Sequence, residues 1–402
     1  MLSPNYAQAK NKIPKTVWAL GFVSLLMDTS SEMIFSLLPL FMTSVLGMGA
    51  LSVGIIEGAA EATALIVKVF SGVLSDYLGK RKRLAVIGYS LAALTKPFFA
   101  IASGVSVIFG ARIIDRVGKG IRGAPRDALI ADITPPQTRG AAFGLRQAMD
   151  TVGAFAGPLM GAAFMFLLAD NFRAVFWIAC VPAAMAVFIL IAWVKEPEQK
   201  AIKIPGNPIS SANLKKMGGA YWSIVIVGGL FGLARFSEAF LVLRAKDLGV
   251  PLAAVPLVMV FMNIVYAFTA YPFGKLSDKI GRGGLLALGV FILFCANIAL
   301  AKAMGLALLG AGIFLWGLHL GITQGLLSAL VADAAPGDMK GTAFGFFNLI
   351  SGIAVLIASI AAGFLWQRFG ASATFYFGAA FCAAAFIAII SAAKAFKRGQ
   401  SS

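Results

Sequence analysis

Charge is what this sequence has least of. Asp, Glu, Lys and Arg make up 13% of its 402 residues, against 59% hydrophobic, and mean hydropathy is +0.88. A soluble chain of this length needs a polar surface, and these residues cannot build one. Acids are scarcer than bases, 17 against 34, which leaves a formal net charge of +17. The bases sit between apolar segments rather than on one soluble face, which argues against nucleic acid as a partner. Cysteine is rare too. Cys180, Cys295 and Cys382 stand isolated inside apolar runs, with no metal spacing and no disulfide framework, so neither a metal nor a cofactor is expected. The lone histidine, His319, reads as a polar residue packed among helices. A Gly-x-x-x-x-Gly-Lys-Ser/Thr loop is missing, which excludes ATP-driven pumping by this chain.

What the sequence has in quantity is apolar runs able to cross a membrane, each needing only ~20 residues. They fall near 16–45, 51–76, 83–102, 105–131, 139–168 and 172–194, and again near 220–247, 252–277, 283–303, 306–333, 340–367 and 372–394. The expected fold is an all-α polytopic membrane protein of twelve transmembrane helices. The stretch from Lys195 to Lys216 is proline-rich and charged. It divides the chain into an N-terminal six-helix bundle (1–194), a linker (195–219) and a C-terminal six-helix bundle (220–402). Lys10, Lys12 and Lys15 precede span 1, Lys80-Arg-Lys-Arg83 follows span 2, and the linker and tail are basic, whereas 47–50 and 103–104 carry no charge. That bias predicts cytoplasmic termini and linker in a bacterial inner membrane. The first run has no cleavage site and is expected to stay as span 1.

The second half repeats the first. Ala128-Leu-Ile-Ala-Asp132 with Pro135 and Arg139-Gly140 recurs as Ala329-Leu-Val-Ala-Asp333 with Pro336 and Lys340-Gly341. Gly72-Val-Leu-Ser-Asp76 with Gly79-Lys80 recurs as Gly274-Lys-Leu-Ser-Asp278 with Gly281-Arg282. The offsets are 201 and 202 residues. Two parallel six-span repeats are the plan of a rocking transporter with a midplane site.

These stretches resemble the major facilitator superfamily. Gly72-x-x-x-Asp76-x-x-Gly79-Lys80-Arg81 looks like its loop between helices 2 and 3, and Arg116-x-x-x-Gly120 is similar to its helix 4 motif. Gly153-Ala-Phe-Ala-Gly157-Pro158-Leu-Met-Gly161-Ala162 is similar to the helix 5 motif of its proton antiporters. Tyr77 and Ala162 depart from the pattern, standing where a basic residue and a glycine are usual. The resemblance implies alternating access, with span 1 lining the cavity and spans 3, 6, 9 and 12 peripheral. It also implies a cytoplasmic gate of Asp76 with Lys80 and Asp132, copied as Asp278, Arg282 and Asp333.

Ionisable residues inside spans are functional by default. Asp28 and Glu32 lie midway along span 1, one turn apart. Two close carboxylates in a partly dry site repel, and taking up a proton relieves both. They are expected to couple transport to protons, with Glu57 and Glu61 of span 2 and Asp150 of span 5. Arg112, Arg116, Lys119, Arg122 and Arg126 fall within roughly 120° of one face of span 4. Arg112, Arg116 and Lys119 are expected to bind an anionic solute, since a guanidinium grips a carboxylate in a bidentate way. Arg146, Arg235 and Glu238 join them. Arg122, Arg126, Asp127 and Asp132 read as anchors nearer the cytoplasmic end. Gly153, Gly157 and Gly161 let a neighbouring backbone approach, and Pro158 permits a bend. Spans 6, 9 and 12 hold no interior charge and span 3 only Lys96, so these four are expected to face lipid.

The expected function is proton-coupled secondary transport of a small organic solute, an organic acid or carboxylate siderophore, by a monomer in the bilayer. The alternative is proton-driven export of amphipathic drugs. An intramembrane enzyme, suggested by Gly88-Tyr-Ser90-Leu and His319, is opposed by the repeat and the span plan.

Overall fold

A computed structural model of the chain describes residues 13–78, 80–196, 217–323, 325–336 and 339–391, so most of the linker lies outside the described residues. All regular structure among them is helical. The first six spans are Lys15–Phe35, Ala50–Leu78, Arg81–Ile101, Val105–Ile133, Arg139–Leu167 and Phe172–Trp193. Span 1 continues past a break at 36–37 as Leu38–Leu40 and a π-helical turn, Phe41–Val45. Span 7 comes in two pieces, Gly219–Ala234 and Ala239–Asp247. Spans 8 and 9 are Leu257–Ile280 and Arg282–Lys302. Span 10 is split into Leu306–Thr323 and Leu326–Ala334, with Gly325 at φ 79°, where a side chain would be strained. Spans 11 and 12 are Lys340–Phe369 and Ala371–Ser391. Among the described residues, eleven helices are long and apolar enough to cross a membrane, and span 4, at 29 residues, is set apart by its charges. Prolines 97, 125, 158, 182 and 272 sit inside helices. Membrane helices tolerate this because neighbours satisfy the freed backbone groups.

The described residues of Met1–Leu37 and Val67–Pro205 pack as one unit, and those of Leu38–Ile66 and Gly206–Ser402 as another. In the first, span 1 runs along spans 5 and 6, and span 3 along spans 4 and 6. Leu20, Val23 and Met27 of span 1 meet Ala85, Tyr89 and Ala92 of span 3 and Ala183, Ala186 and Leu190 of span 6 in one buried cluster. The alanines matter because, in a bilayer, helices associate by close packing rather than by escape from water. In the second unit, span 9 packs against spans 10 and 12, and span 7 against spans 11 and 12.

Lipid-facing stripes are visible in the exposed apolar residues. Trp177, Val181, Met185 and Phe188 line one side of span 6, and Ile87, Leu94, Phe98 and Ile101 one side of span 3. The expectation for span 3 needs one correction. Lys96 lies about 180° around the helix from Ile87 at 100° per residue. It is 0% exposed. Span 3 therefore offers lipid its apolar side and the bundle its lysine.

The motif glycines of span 5 lie on span 1. A Cβ added at Gly153 would stand 2.7 Å from Leu25 O and 3.0 Å from Asp28 Cβ. One at Gly157 would stand 2.7 Å from both Thr29 O and Glu32 Cβ. The glycines thus make room for the two helix stretches that carry the acids. Gly157→Leu is expected to destabilise the fold by about 1–3 kcal/mol or more, because backbone cannot yield as a flexible side chain does. Thermal unfolding in detergent measures it, and an unchanged midpoint would refute the close packing. Gly88 plays a similar part between spans 3 and 4, since a Cβ there would meet Gly118 O at 2.7 Å. The Gly88-Tyr-Ser90 stretch is accounted for by packing.

Candidate functional site

Span 4 carries the charge of the first unit. From Arg112 to Asp132 it rises about 30 Å, the thickness of a bilayer's hydrocarbon core. Arg112, Arg116, Arg122 and Arg126 are 3%, 3%, 4% and 9% exposed, so protein rather than water must solvate them.

At one level along span 4, three cations converge. Lys96 Nζ donates to Asp115 Oδ1 at 2.9 Å and to Ser31 Oγ at 2.9 Å. Asp115 Oδ2 lies 3.4 Å from Arg116 Nε and 4.0 Å from Arg112 Nη1. All three cations also lie over the ring of Phe35, the last residue of the first helix. Arg112 Cζ is 3.6 Å, Arg116 Cζ 4.6 Å and Lys96 Nζ 4.8 Å from its centroid. Phe99 meets the same ring edge to face at 6.0 Å. The negative face of an aromatic ring attracts cations, most strongly where water is excluded.

Asp28 and Glu32 both face span 4. Arg122 Nη2 reaches Asp28 Oδ1 at 3.5 Å, and the same guanidinium lies 4.7 Å from the centre of the Tyr89 ring. The charges acting most strongly on Glu32 are those of Lys119 and Arg116, followed by Asp28 and Arg112. The neighbouring hydroxyls are engaged elsewhere. Ser30 donates to Ala179 O, Thr29 to Leu25 O, and Ser31 accepts from Lys96.

Beyond Arg122 the file continues. Arg126 Nη1 donates to Ser24 Oγ at 2.8 Å and to Tyr89 Oη at 3.5 Å, and lies 3.7 Å from Asp150 Oδ1. Arg126 Nε meets Asp127 Oδ1 at 3.1 Å. Arg146 closes the group, 2.7 Å from Asp150 Oδ2 and 3.7 Å from Asp127 Oδ1. Arg122 and Arg126, expected as anchors near the cytoplasmic end, thus belong with the acids of spans 1 and 5. Sequence reasoning passed over Lys96, Phe35, Tyr89 and Ser24. Only Lys96 carried a signal, its angle on the helix.

The second unit gathers the other candidates. Arg235 and Glu238 lie in the break of span 7, and Arg235 feels the charges of Glu238 and Glu61. Its guanidinium is 5.7 Å from the Phe231 ring centre. Glu57 is 5% exposed. His319 is fully buried, edge-on to Trp316 at 5.5 Å and to Phe231 at 6.3 Å, a packed polar residue as expected.

At the span ends Arg81 pairs with Asp132, and Arg282 pairs with Asp333. Both members stand 201 residues apart between the copies. The partner that matches Arg282 is therefore Arg81, not Lys80, which caps span 3 and is exposed. The side chains of Asp76 and Asp278 lie outside the described residues. The Arg81–Asp132 side chains are 13% and 19% exposed, so solvent screens the pair only in part. A double-mutant cycle of Arg81→Gln and Asp132→Asn, read by thermal unfolding, should give a coupling of about 0.2–1 kcal/mol. Zero coupling would make the contact a solvated face.

Comparison with known proteins matches residues 20–359 and 224–401 to the family model described as Major Facilitator Superfamily. An "Uncharacterized MFS-type transporter MJ1317" of Methanocaldococcus jannaschii is 33% identical over 383 residues, covering 91% of this chain and 92% of its own. "Multidrug resistance protein MdtH" of Baumannia cicadellinicola subsp. Homalodisca coagulata is 25% identical, covering 87% and 85%. Among solved structures, the nucleoside transporter NupG is similar at a TM-score of 0.75 and 14% identity, covering 96% of this chain and all of its own.

Proposed function

Because the chain belongs to the major facilitator superfamily, we propose that it is a proton-coupled secondary transporter of a small organic anion. One observation carries the choice of an anion: Lys96, Arg112 and Arg116 converge on one ring and one carboxylate. A guanidinium pair on an apolar face presents its donors in the fork that a carboxylate fits. Lys119 and Arg146 extend this basic lining, and Arg235 and Glu238, within the second unit, are further proposed solute ligands. Asp28 and Glu32 carry the coupled proton, with Glu57, Glu61 and Asp150 as further acids of the path. The halves 1–194 and 220–402 alternate in access, and Asp76, Lys80, Asp132, Asp278, Arg282 and Asp333 guard the cytoplasmic side. The bias of Lys and Arg toward one set of loops supports cytoplasmic termini, with the protein in the inner membrane in this proposal.

A second reading has support of its own. The relative named as a multidrug resistance protein, and the span 5 glycine motif, favour proton-driven export of amphipathic compounds. One experiment separates the two. Purified protein in proteoliposomes with an imposed pH gradient is offered labelled benzoate, succinate, citrate or tetraphenylphosphonium. Gradient-dependent movement of a carboxylate supports the anion reading. Movement of the lipophilic cation alone replaces it with the second.

A further inference from the structure

Tyr89 sits where two helices nearly touch. A Cβ added at Gly88 would stand 2.7 Å from Gly118 O and 2.8 Å from Arg122 N, so spans 3 and 4 cross backbone to backbone there. The next side chain on span 3, Tyr89, is 0% exposed and touches two arginines of span 4. The centre of its ring is 4.7 Å from Arg122 Cζ, and its hydroxyl is 3.5 Å from Arg126 Nη1. Ser24 of span 1 completes the group, with Oγ 3.1 Å from Tyr89 Oη and 2.8 Å from Arg126 Nη1.

Charge in this cluster is balanced. Arg122, Arg126 and Arg146 face Asp28, Asp127 and Asp150 in ion pairs of 2.7–3.7 Å. Exposure is not balanced. The side chains of Asp28, Asp150 and Asp127 are 25%, 18% and 39% exposed, those of Arg122 and Arg126 only 5% and 11%. The acids are the open members of the cluster and these two guanidiniums the buried ones. Each proton that reaches Asp28 or Asp150 leaves a buried guanidinium short of its counter-ion, and an uncompensated buried charge is costly. Proton uptake here needs something else to solvate the arginine.

We infer that Tyr89 and Ser24 are positioning residues for proton uptake: they are the uncharged partners that hold Arg122 and Arg126 while Asp28 and Asp150 carry protons. This rests on the proton-coupled reading above. Arg126 Nη1 is shared, because Asp150 Oδ1 at 3.7 Å competes with Ser24 Oγ and Tyr89 Oη for the same nitrogen. A proton on Asp150 leaves Nη1 to the two hydroxyls. Arg122 has less to turn to, since its Nη1 makes no hydrogen bond among the described residues. The Tyr89 ring serves instead, for the negative face of a ring attracts a lone guanidinium more than one already neutralised by a carboxylate. Both contacts favour the protonated acid over the ionised one, and a contact shifts an equilibrium only by such a difference.

The other ionisable groups around the two acids are Glu32 of span 1, acted on by Lys119 and Arg116, Asp127 of span 4 and Arg146 of span 5. Lys96 of span 3 is engaged by Asp115 and Ser31. Span 6 brings Cys180 and, at its start, Arg173, which binds Ala100 O and Ala102 O.

The test reads proton uptake directly. Infrared spectra of purified full-length protein, titrated with acid, follow the carboxyl band of protonated Asp28 and Asp150, assigned by its loss in Asp28→Asn and Asp150→Asn. Tyr89→Leu removes ring and hydroxyl, and should move the midpoint of that titration to lower pH by about 0.4 to 1.5 pH units, the range of a cation–ring contact. Tyr89→Phe keeps the ring and should shift it less. Ser24→Ala removes the 2.8 Å contact to Arg126 and should shift it in the same direction. A mere packing role for Tyr89 would lower the unfolding temperature and leave the midpoint in place. If Tyr89→Leu does not fold, Tyr89→Phe and Ser24→Ala decide. An unchanged midpoint in every folded variant overturns the inference and leaves proton coupling standing, and so does a carboxyl band that neither Asp28→Asn nor Asp150→Asn removes. Failure of the proton reading shows itself separately, as movement of benzoate, succinate, citrate and tetraphenylphosphonium by wild-type protein that ignores the pH gradient, and it overturns both.

Discussion

Arg116→Ala is expected to weaken binding of the transported carboxylate by about 30-fold to several thousandfold, the range for truncating one partner of a buried charge pair, about 2–5 kcal/mol. The substitution does not strand Asp115 as an unpaired buried charge, because Asp115 keeps Lys96 at 2.9 Å. Arg112 also stays, 3.6 Å from the Phe35 ring centre, so one guanidinium remains. Arg116→Lys retains the charge and loses the planar fork, and should fall between the two. Equilibrium binding to protein in detergent measures the ratio, with benzoate, succinate and citrate as probes. A lipophilic cation whose affinity is the same in wild type and Arg116→Ala would reject Arg116 as an anion ligand.

The fold was legible because bilayer thickness sets span length, and because the repeat shows itself twice at nearly one offset. The breaks in spans 1, 7 and 10 were not. Each apolar run reads as continuous, since hydropathy records side chains and not backbone bonds. In span 7 the charged Arg235 and Glu238 inside an apolar run were the trace of the break. Lys96 was misplaced for a different reason. Counting charges per span assigns a whole helix to lipid, whereas a helix has faces, and Lys96 lies opposite the exposed Ile87, Leu94 and Phe98. Arg81, the residue that matches Arg282, was not singled out, because a one-residue change in the repeat offset falls between Gly79 and Arg81. No sequence pattern announced Phe35, whose role depends on three side chains from two other helices.

Asp28→Asn and Glu32→Gln are each expected to uncouple transport from the pH gradient. Both changes keep the size of the side chain and remove its ability to carry a proton. The packing tolerates them, since what spans 1 and 5 share at these positions is the Cβ stems against Gly153 and Gly157, not the carboxyl groups. In the folded protein Asp28 lies 3.5 Å from Arg122, and Glu32 lies in the field of Lys119 and Arg116. On the proposed reading, a proton on either acid would release a basic group of span 4, and loss of that proton would recapture it. Such an exchange would link protonation to the same helix that carries Arg112 and Arg116, the proposed anion ligands. One proton moving down a gradient of one pH unit is worth about 1.4 kcal/mol, or about tenfold accumulation of a co-transported solute. Each variant should bring that ratio in proteoliposomes down to about one, while solute-for-solute exchange at equal pH continues, because exchange needs binding and reorientation but no net proton movement. Loss of exchange as well would place these acids in solute binding rather than coupling. Full gradient-driven accumulation in both variants would remove them from the proton path.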